Sequence, residues 1–219
     1  MSRKTESGTR SEKSRANTGN RASSFDQDRV AWRVMRHARR AAVVRFRRRA
    51  LDAPDLESVL TEAVEIATKI LNVELAKVLK HDASHDNLIV RAAMGWPTDV
   101  TGHVIEHAQE SSQAGYALRS GHAIVVEDLR RVDAFRGAQL LRENDVISGA
   151  TVIIHGQLSP WGVLSVHSTK RRMLTPDELD FLQAVADVIA AAVCRFVLAR
   201  RRDGFAVRNE RPSATVARR

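Results

Sequence analysis

The chain has 219 residues, with 35 Lys and Arg against 26 Asp and Glu, a formal net charge of +9, and 43% hydrophobic residues. This length suits one ordinary domain with extensions, or two very small domains. A single cysteine, Cys194, excludes an intrachain disulfide, a cysteine-rich zinc site and an iron–sulfur cluster. We see no secretory signal and no apolar run of membrane-spanning length, so we expect a cytoplasmic protein.

The positive charge is concentrated at the two ends of the chain. Residues 1–50 contain 15 basic and 4 acidic residues, a net of +11, whereas residues 51–198 contain 13 basic and 20 acidic, a net of −7. Residues 199–219 contain 7 basic and 2 acidic residues, a net of +5. Residues 1–25 and 199–219 are predicted to be disordered basic tails, because segments this polar bury too little apolar surface to offset their chain entropy.

Residues 26–53 are predicted to form a basic amphipathic lead-in helix. Apolar residues recur every four positions, and arginines crowd the remaining positions. Three interpretations compete: a helix that dimerises, an arm that binds an anionic membrane or a nucleic acid, and a solvated lead-in helix. The apolar positions are Val30, Val34, Ala38, Ala42 and Phe46.

Helices and short strands alternate through the acidic segment, residues 54–198. The predicted order is a helix to about residue 72, strands over 74–80 and 87–93, a loose segment with a short helix over 101–120, a strand over 123–127, a helix over 133–144, strands over 149–155 and 162–168, and a last helix. Thr175 and Glu178 form a capping box that marks the start of that last helix. Short strands joined by hairpins and flanked by helices predict an α+β domain, with an antiparallel sheet and helices packed on one side.

Several segments of this domain, taken in order, resemble the GAF domain family. The segments are residues 112–129, 146–149, 161–168 and 172–182. In the first of them, small residues and a short helix end at Gly121 before a strand that closes on Asp128. The resemblance covers about residues 54–198. This segment is similar in particular to GAF modules of bacterial sensory histidine kinases.

The resemblance implies a six-stranded antiparallel sheet with a ligand pocket between one sheet face and the loops. GAF domains sense small molecules, cyclic nucleotides or bilins, or only dimerise. The chain lacks the loop cysteine of bilin-linked members, since Cys194 lies in the last helix, and it lacks the paired cysteines of methionine-sulfoxide reductases. We therefore expect a stand-alone sensory module of signal transduction that forms a homodimer through its terminal helices and acts on a histidine kinase or another signalling partner. The alternative is a protein that binds nucleic acid or an anionic membrane through its basic arms.

The candidate pocket residues combine this resemblance with side-chain chemistry. They are Trp96, Asp128, Arg136, Ser148, Ser165 and His167. Trp96 is predicted either to form a wall of the pocket or to fill the core, and Asp128 either to cap the turn after its strand or to face the pocket. Arg136 suits an anionic ligand or a solvated face. His167 shares a strand face with Ser165, where it either binds a polar ligand or haem iron or is a histidine without a ligand. The sequence identifies no ligand and no cofactor.

Two pairs of histidines have the spacing of metal ligands. His103, Glu106 and His107 match the H-x-x-E-H pattern of zinc peptidases, in which a helix places both histidines on one face and the glutamate acts as a base. A chance match in a variable segment is the simpler interpretation, because catalysis also needs a third ligand and a cleft. His81 and His85 are also four residues apart, and we interpret them as the solvated tip of a hairpin. We therefore predict that the protein is not an enzyme.

Overall fold

The described residues of the computed structural model form five helices and one six-stranded sheet. The structure describes the backbone of residues 9–97, 99–107, 112–135 and 139–209, and the side chains of 29–97, 99–104, 112–135 and 139–199. The helices are α1 (Thr9–Asp52), α2 (Leu56–Leu71), α3 (Gln113–Ser120), α4 (Gln139–Glu143) and α5 (Pro176–Asn209). The strands are β1 (Leu75–Asp82), β2 (Asn87–Met94), β3 (Val104–His107), β4 (Ile124–Val126), β5 (Ser148–Ile154) and β6 (Gly162–Ser168). The chain divides into two units, residues 1–41 and residues 42–219.

All six strands pair antiparallel in the order β3-β2-β1-β6-β5-β4. Hairpins join β1 to β2 and β5 to β6, as the polar connections predict. Sequence reasoning missed β3, because a four-residue edge strand containing a glutamate and a histidine lacks the apolar alternation that marks a strand. The predicted α+β fold, with an antiparallel sheet of about six strands, is confirmed.

Helices α2 and α5 cover one face of this sheet. Alternate residues of the central strands point toward them and form the larger core of the domain. Three residues from the end of α1, Ala42, Phe46 and Ala50, are buried in the same core. The core of the second unit therefore includes residues that precede the domain boundary expected at residue 54. The shorter helix α3 packs on the opposite face of the sheet.

The two outer helices are longer than the composition predicts. α1 begins at Thr9, within the segment expected to be disordered up to residue 25, and α5 continues to Asn209, past the boundary expected at residue 198. Low hydrophobicity predicts that such segments bury little surface. However, adding residues to an existing helix costs much less free energy than nucleating a new one, so a polar segment can continue a helix that the core stabilises. The remaining parts of the two predicted tails, residues 1–8 and 210–219, lie outside the described residues.

In the first unit, the apolar positions of α1 are on the surface. Val30, Val34 and Met35 are exposed, and the Arg36 guanidinium lies 5.0 Å from the centroid of the Trp32 ring. Within the described part of this unit the apolar stripe is therefore uncovered, and it is surrounded by arginines. The three interpretations of this helix remain predictions.

The start of α5 has the predicted capping box. The Thr175 amide donates to Glu178 Oε2 at 3.0 Å, and the Glu178 amide donates to Thr175 Oγ1 at 3.3 Å. Arg172 donates to Glu178 Oε1 at 2.6 Å and to the Leu71 carbonyl oxygen at 2.6 Å. This arginine therefore fixes the start of α5 to the end of α2.

In the described part of the chain, one stretch of helix, residues 176–199 of α5, is long and apolar enough to cross a membrane by length and composition alone. The same stretch supplies core side chains, among them Leu182, Val185 and Ile189, which are buried against the sheet. The core helix of a packed domain meets the same criterion, so packing against the sheet accounts for the hydropathy of α5.

The described part of the helix predicted over residues 133–144 consists of a 3-10 turn and a short α-helix. Asp133–Phe135 forms a 3-10 turn, and α4 begins only at Gln139. Residues 136–138 lie outside the described part.

Candidate functional site

The sheet face opposite α2 and α5 carries a row of buried polar side chains. Lys77 of β1 pairs with Ser165 of β6, which pairs with Thr151 of β5. Each of the three is exposed by 1% or less. Their neighbours along each strand pack beneath the helices, so alternation directs these three to the other side. The hydroxyl oxygens of Thr151 and Ser165 are hydrogen-bonded at 2.9 Å.

His167 lies two residues further along β6 on the same face. It pairs with Gly149 of β5, where a Cβ atom would overlap the His167 ring, so the glycine provides the space that the ring occupies. The side chain is 2% exposed, and neither ring nitrogen has a hydrogen-bond partner among the described residues. Burial lowers the pKa of His167 well below its usual value, and the charge of Lys77 lowers it further. The imidazole is therefore neutral at pH 7.

Helix α3 covers this face through Gln113. Its Nε2 donates to the carbonyl oxygens of Ile124 and Gly149, both at 3.1 Å. The Ser112 hydroxyl caps the helix by accepting from the Gly115 amide at 3.0 Å. The other amide atom, Gln113 Oε1, is buried and has no partner among the described residues. α3 is thus fixed to β4 and β5 while one buried acceptor is left unused.

Trp96, just after β2, contacts both the lysine and the histidine. Its Nε1 donates to the Ala76 carbonyl oxygen at 2.9 Å. The indole centroid lies 5.2 Å from Lys77 Nζ and 6.0 Å from the centroid of the His167 ring, which it meets edge-on. A half-buried indole therefore joins a buried cation to a buried neutral imidazole. We call the set Lys77, Trp96, Gln113, Thr151, Ser165 and His167 the polar face.

Three of the six candidate pocket residues, Trp96, Ser165 and His167, belong to the polar face. Ser148 does not join them. It is buried in β5, but its position shares the side of Ala150, beneath α2 and α5, and its hydroxyl donates to the Lys170 carbonyl oxygen at 2.7 Å. One residue of displacement along a strand reverses the face, so Ser148 lies on the opposite side of the sheet from Ser165 and His167.

Asp128 caps the 3-10 turn Leu129–Arg131, which is one of its two predicted roles. It accepts from the Arg130 amide at 3.2 Å, and from Arg130 Nε and Nη2, both at 2.8 Å. The hydrogen bonds from the Arg130 side chain lower the pKa of Asp128 to about 2. Its carboxylate is thus already engaged within the turn. Arg136 lies outside the described residues.

Sequence reasoning did not select Lys77, Gln113 or Thr151. For Lys77 the sequence does contain a signal, because a lysine in the middle of an apolar strand shares its face with Leu75 and Leu79. A charged residue between buried ones on a central strand is rare unless it has a function or a partner.

The structure does not support a zinc-peptidase arrangement at the H-x-x-E-H match. His103 directly precedes β3, so the segment is a strand and not the helix that the motif requires. The side chains of Glu106 and His107 lie outside the described part. His81 and His85 lie at the β1–β2 hairpin and contact Asp86 at 3.1 Å and Asp82 at 2.8 Å, respectively. No group of three His, Cys, Asp or Glu residues able to hold a metal occurs among the residues that the structure describes.

Comparison with known families gives one decisive match, a sequence profile of the GAF domain over residues 55–193, more than half of the chain. The chain belongs to the GAF domain family. GAF domains are sensory domains of signalling proteins and are generally regulators rather than catalysts. A search of curated proteins found no match.

Solved GAF domains share the fold of this one. The GAF domain of a phosphoenolpyruvate-protein phosphotransferase from Coxiella burnetii has a TM-score of 0.69 and 18% identity, covering 77% of this chain and 98% of that chain. The corresponding Acinetobacter domain has a TM-score of 0.66 and 14% identity, covering 75% and 98%. A phycocyanobilin-bound GAF domain from a cyanobacterial phytochrome has a TM-score of 0.63 and 19% identity, covering 74% and 96%. Identities this low establish the fold alone.

The buried His167 predicts a pH-dependent stability. Its folded-state pKa is depressed, so below about pH 6.5 the unfolded chain takes up a proton that the folded domain does not. We expect the free energy of unfolding to fall on acidification from there, by up to about 1.4 kcal/mol per pH unit, until the folded-state pKa is reached. Urea unfolding between about pH 7 and about pH 5 measures this slope.

His167→Gln removes the titrating group, and we expect it to flatten the slope. His155→Gln is the matched control, because His155 is exposed, and we expect this variant to keep the wild-type slope. A slope that is the same in the wild type and in His167→Gln would contradict the argument.

Proposed function

We propose that this GAF domain is a sensor that binds a small polar molecule against its polar face. The observation that supports this most strongly is His167, a buried imidazole whose two nitrogens have no partner among the described residues. A buried polar group without a hydrogen bond costs about 1–3 kcal/mol. A ligand that bonds to His167 and to Gln113 Oε1 removes that cost, so these atoms favour an occupied site.

The same strands connect the polar face to the outer helices. Residues next to Lys77 and Ser165 on β1 and β6 pack beneath α2 and α5. A ligand that shifts these strands from the polar face therefore also shifts the contacts of the two helices on the opposite face. Arg195 of α5 donates to the carbonyl oxygens of Leu51 at 2.6 Å and Ala53 at 3.0 Å, just where α1 ends. Binding then shifts the population of helix arrangements, and a signalling partner such as a histidine kinase responds to that shift.

The second part of the proposal is that the sensor forms a homodimer through α5 and the end of α1. These segments border a groove of about 420 Å³ that contains small and apolar side chains, among them Ala50, Leu51 and Ala191. Arg47 and Asp187 also line it. The groove therefore carries opposite charges, and in a two-fold dimer Arg47 of one copy can pair with Asp187 of the other. A second copy of the same groove is the occupant we propose.

Native mass spectrometry of the full-length protein, purified from cells that make it naturally, tests both parts at once. We expect the mass of a dimer carrying a small molecule that is released on denaturation. His167→Phe keeps a ring but removes both nitrogens, and we expect it to lower the affinity about tenfold, the loss of about one hydrogen bond. Ser148→Ala, on the opposite side of the sheet, is expected to retain the ligand.

Dimerisation has its own pair of variants. Ala191→Lys places a long charged side chain in the groove, and we expect a monomer that still carries the ligand. Ala83→Lys makes the same change at an exposed position of the β1–β2 hairpin, and we expect it to remain dimeric. A wild-type dimer without any small molecule would refute the sensor proposal, and a wild-type monomer would refute the dimer.

A further inference from the structure

We propose that α1 binds the surface of an anionic membrane through an exposed apolar stripe and the arginines beside it. The residues of the stripe recur at the three- and four-residue spacing of a helix, so they share one side of α1. All of them are exposed. The members of the stripe are Val30, Ala31, Val34, Met35, Ala38 and Ala41.

The stripe exposes side chains of a kind that the rest of the fold buries. Val30 and Val34 are each 62% exposed, and Met35 is 56% exposed. On α2 and α5, apolar residues at the same spacing pack against the sheet. A contiguous apolar surface rimmed by polar residues is typical of a site that a protein or a membrane covers.

The charges beside the stripe show that its partner is anionic. Between Arg29 and Ala41 the chain has five arginines and no acidic residue. Most of these arginines share the side of the helix opposite the stripe, because they too are three or four residues apart. The arginines on that side are Arg29, Arg33, Arg36 and Arg40. This segment is therefore amphipathic and strongly basic.

A second copy of α1 fits this charge poorly. Two such helices packed along the stripe bring the arginines of both copies close together, and the segment has no carboxylate to offset them. An anionic surface neutralises the same arginines while it covers the apolar side chains, as it does for basic amphipathic helices that lie in a membrane interface. The homodimer proposed above uses a different surface, the groove bordered by α5 and the end of α1.

A lipid surface also fits better than a nucleic acid, although both carry phosphates. Contacts to a nucleic-acid backbone use the arginines and leave the apolar stripe in water. In a bilayer, the stripe enters the boundary between the head groups and the acyl chains. Trp32 is 49% exposed, and the Arg36 guanidinium lies 5.0 Å from its ring centroid. Tryptophan is enriched at membrane interfaces, so this pair supports the lipid surface.

Sedimentation of the full-length protein with vesicles tests the proposal. We expect binding to vesicles of phosphatidylcholine that contain about one third phosphatidylglycerol, and at least about tenfold weaker binding to pure phosphatidylcholine. Arg40→Gln removes one positive charge from α1, and we expect it to lower the affinity for the anionic vesicles about fivefold. Arg171→Gln, at an exposed position between β6 and α5, is the matched control and is expected to bind as the wild type does.

The apolar contribution needs a variant that keeps the charge. We expect Val34→Gln combined with Met35→Gln to bind the anionic vesicles about tenfold more weakly, and to bind a short DNA duplex as the wild type does. Both positions are exposed and glutamine is a good helix former, so we expect this variant to fold normally. Leu158→Gln, at a fully exposed position of the β5–β6 hairpin, is the control and is expected to keep the wild-type affinity for vesicles.

Several outcomes would overturn the membrane proposal. Equal binding to anionic and neutral vesicles, or binding to neither, is one of them. An unchanged vesicle affinity of the Val34 and Met35 variant is another, because the arginines alone would then account for the binding. Binding to DNA by a protein that does not bind vesicles would assign α1 to a nucleic acid instead. None of these outcomes concerns the polar face, so the sensor function is tested separately.

Discussion

Replacing Phe46 with alanine is expected to lower the free energy of unfolding by about 3–5 kcal/mol. Phe46 is completely buried, although it lies on α1, before the residues that match the GAF profile. Its ring packs in the core that α2 and α5 form with the sheet. Truncation removes a large apolar side chain and leaves a cavity that the surrounding helices only partly close. Urea unfolding of the full-length protein measures the loss.

Val44→Ala is the matched control two residues away. Val44 is 61% exposed, and we expect its truncation to change the free energy of unfolding by less than about 0.5 kcal/mol. If Phe46→Ala were equally mild, the end of α1 would not be part of the domain core. The expected result bears on the proposed function, because it would show that the end of α1 is part of the core that packs against the sheet.

The residues on the helix-facing side of the sheet were predictable from the sequence, because the spacing of apolar residues shows which of them share one face of a strand or helix. The spacing of Phe46 with Ala42 correctly placed both on one helical stripe. Periodicity does not say what covers a stripe, so the sequence left these residues in a lead-in helix outside the domain. Their partners come from α2 and α5, which are distant in sequence and adjacent only in the fold.

The polar face was predictable only in part. Ser165 and His167 share a strand, and a period of two is enough to put them on one side. Lys77 joins Ser165 only because β1 pairs with β6, which is distant in the sequence, and no local pattern specifies that pairing. Gln113 depends on the placement of α3 across β5, which is again a tertiary contact. Ser148 was selected by its chemistry, which does not indicate the side of a strand on which a residue lies, and in the structure it lies on the side of the helices.

Trp96 reaches the polar face through an unusual turn at Gly95. That glycine has φ +84°, and a Cβ atom there would overlap the carbonyl oxygen of Glu74. We expect Gly95→Ala to lower the free energy of unfolding by about 3 kcal/mol or more, the sum of a left-handed backbone penalty of about 1–2 kcal/mol and the overpacking of a backbone contact. Urea unfolding gives the loss. The emission of Trp96, once Trp32→Phe and Trp161→Phe have made it the only tryptophan, reports whether the indole leaves its place.

Gly102→Ala separates these two contributions. Gly102 has nearly the same backbone, φ +82°, but a Cβ atom there meets nothing within 4 Å. We expect it to lose only the backbone penalty, about 1–2 kcal/mol, and to leave the emission of Trp96 unchanged. Equal losses in the two variants would mean that the approach of Gly95 to β1 is unimportant. A larger loss at Gly95, with a shifted Trp96 emission, would show that this close approach is what holds the indole against Lys77 and His167.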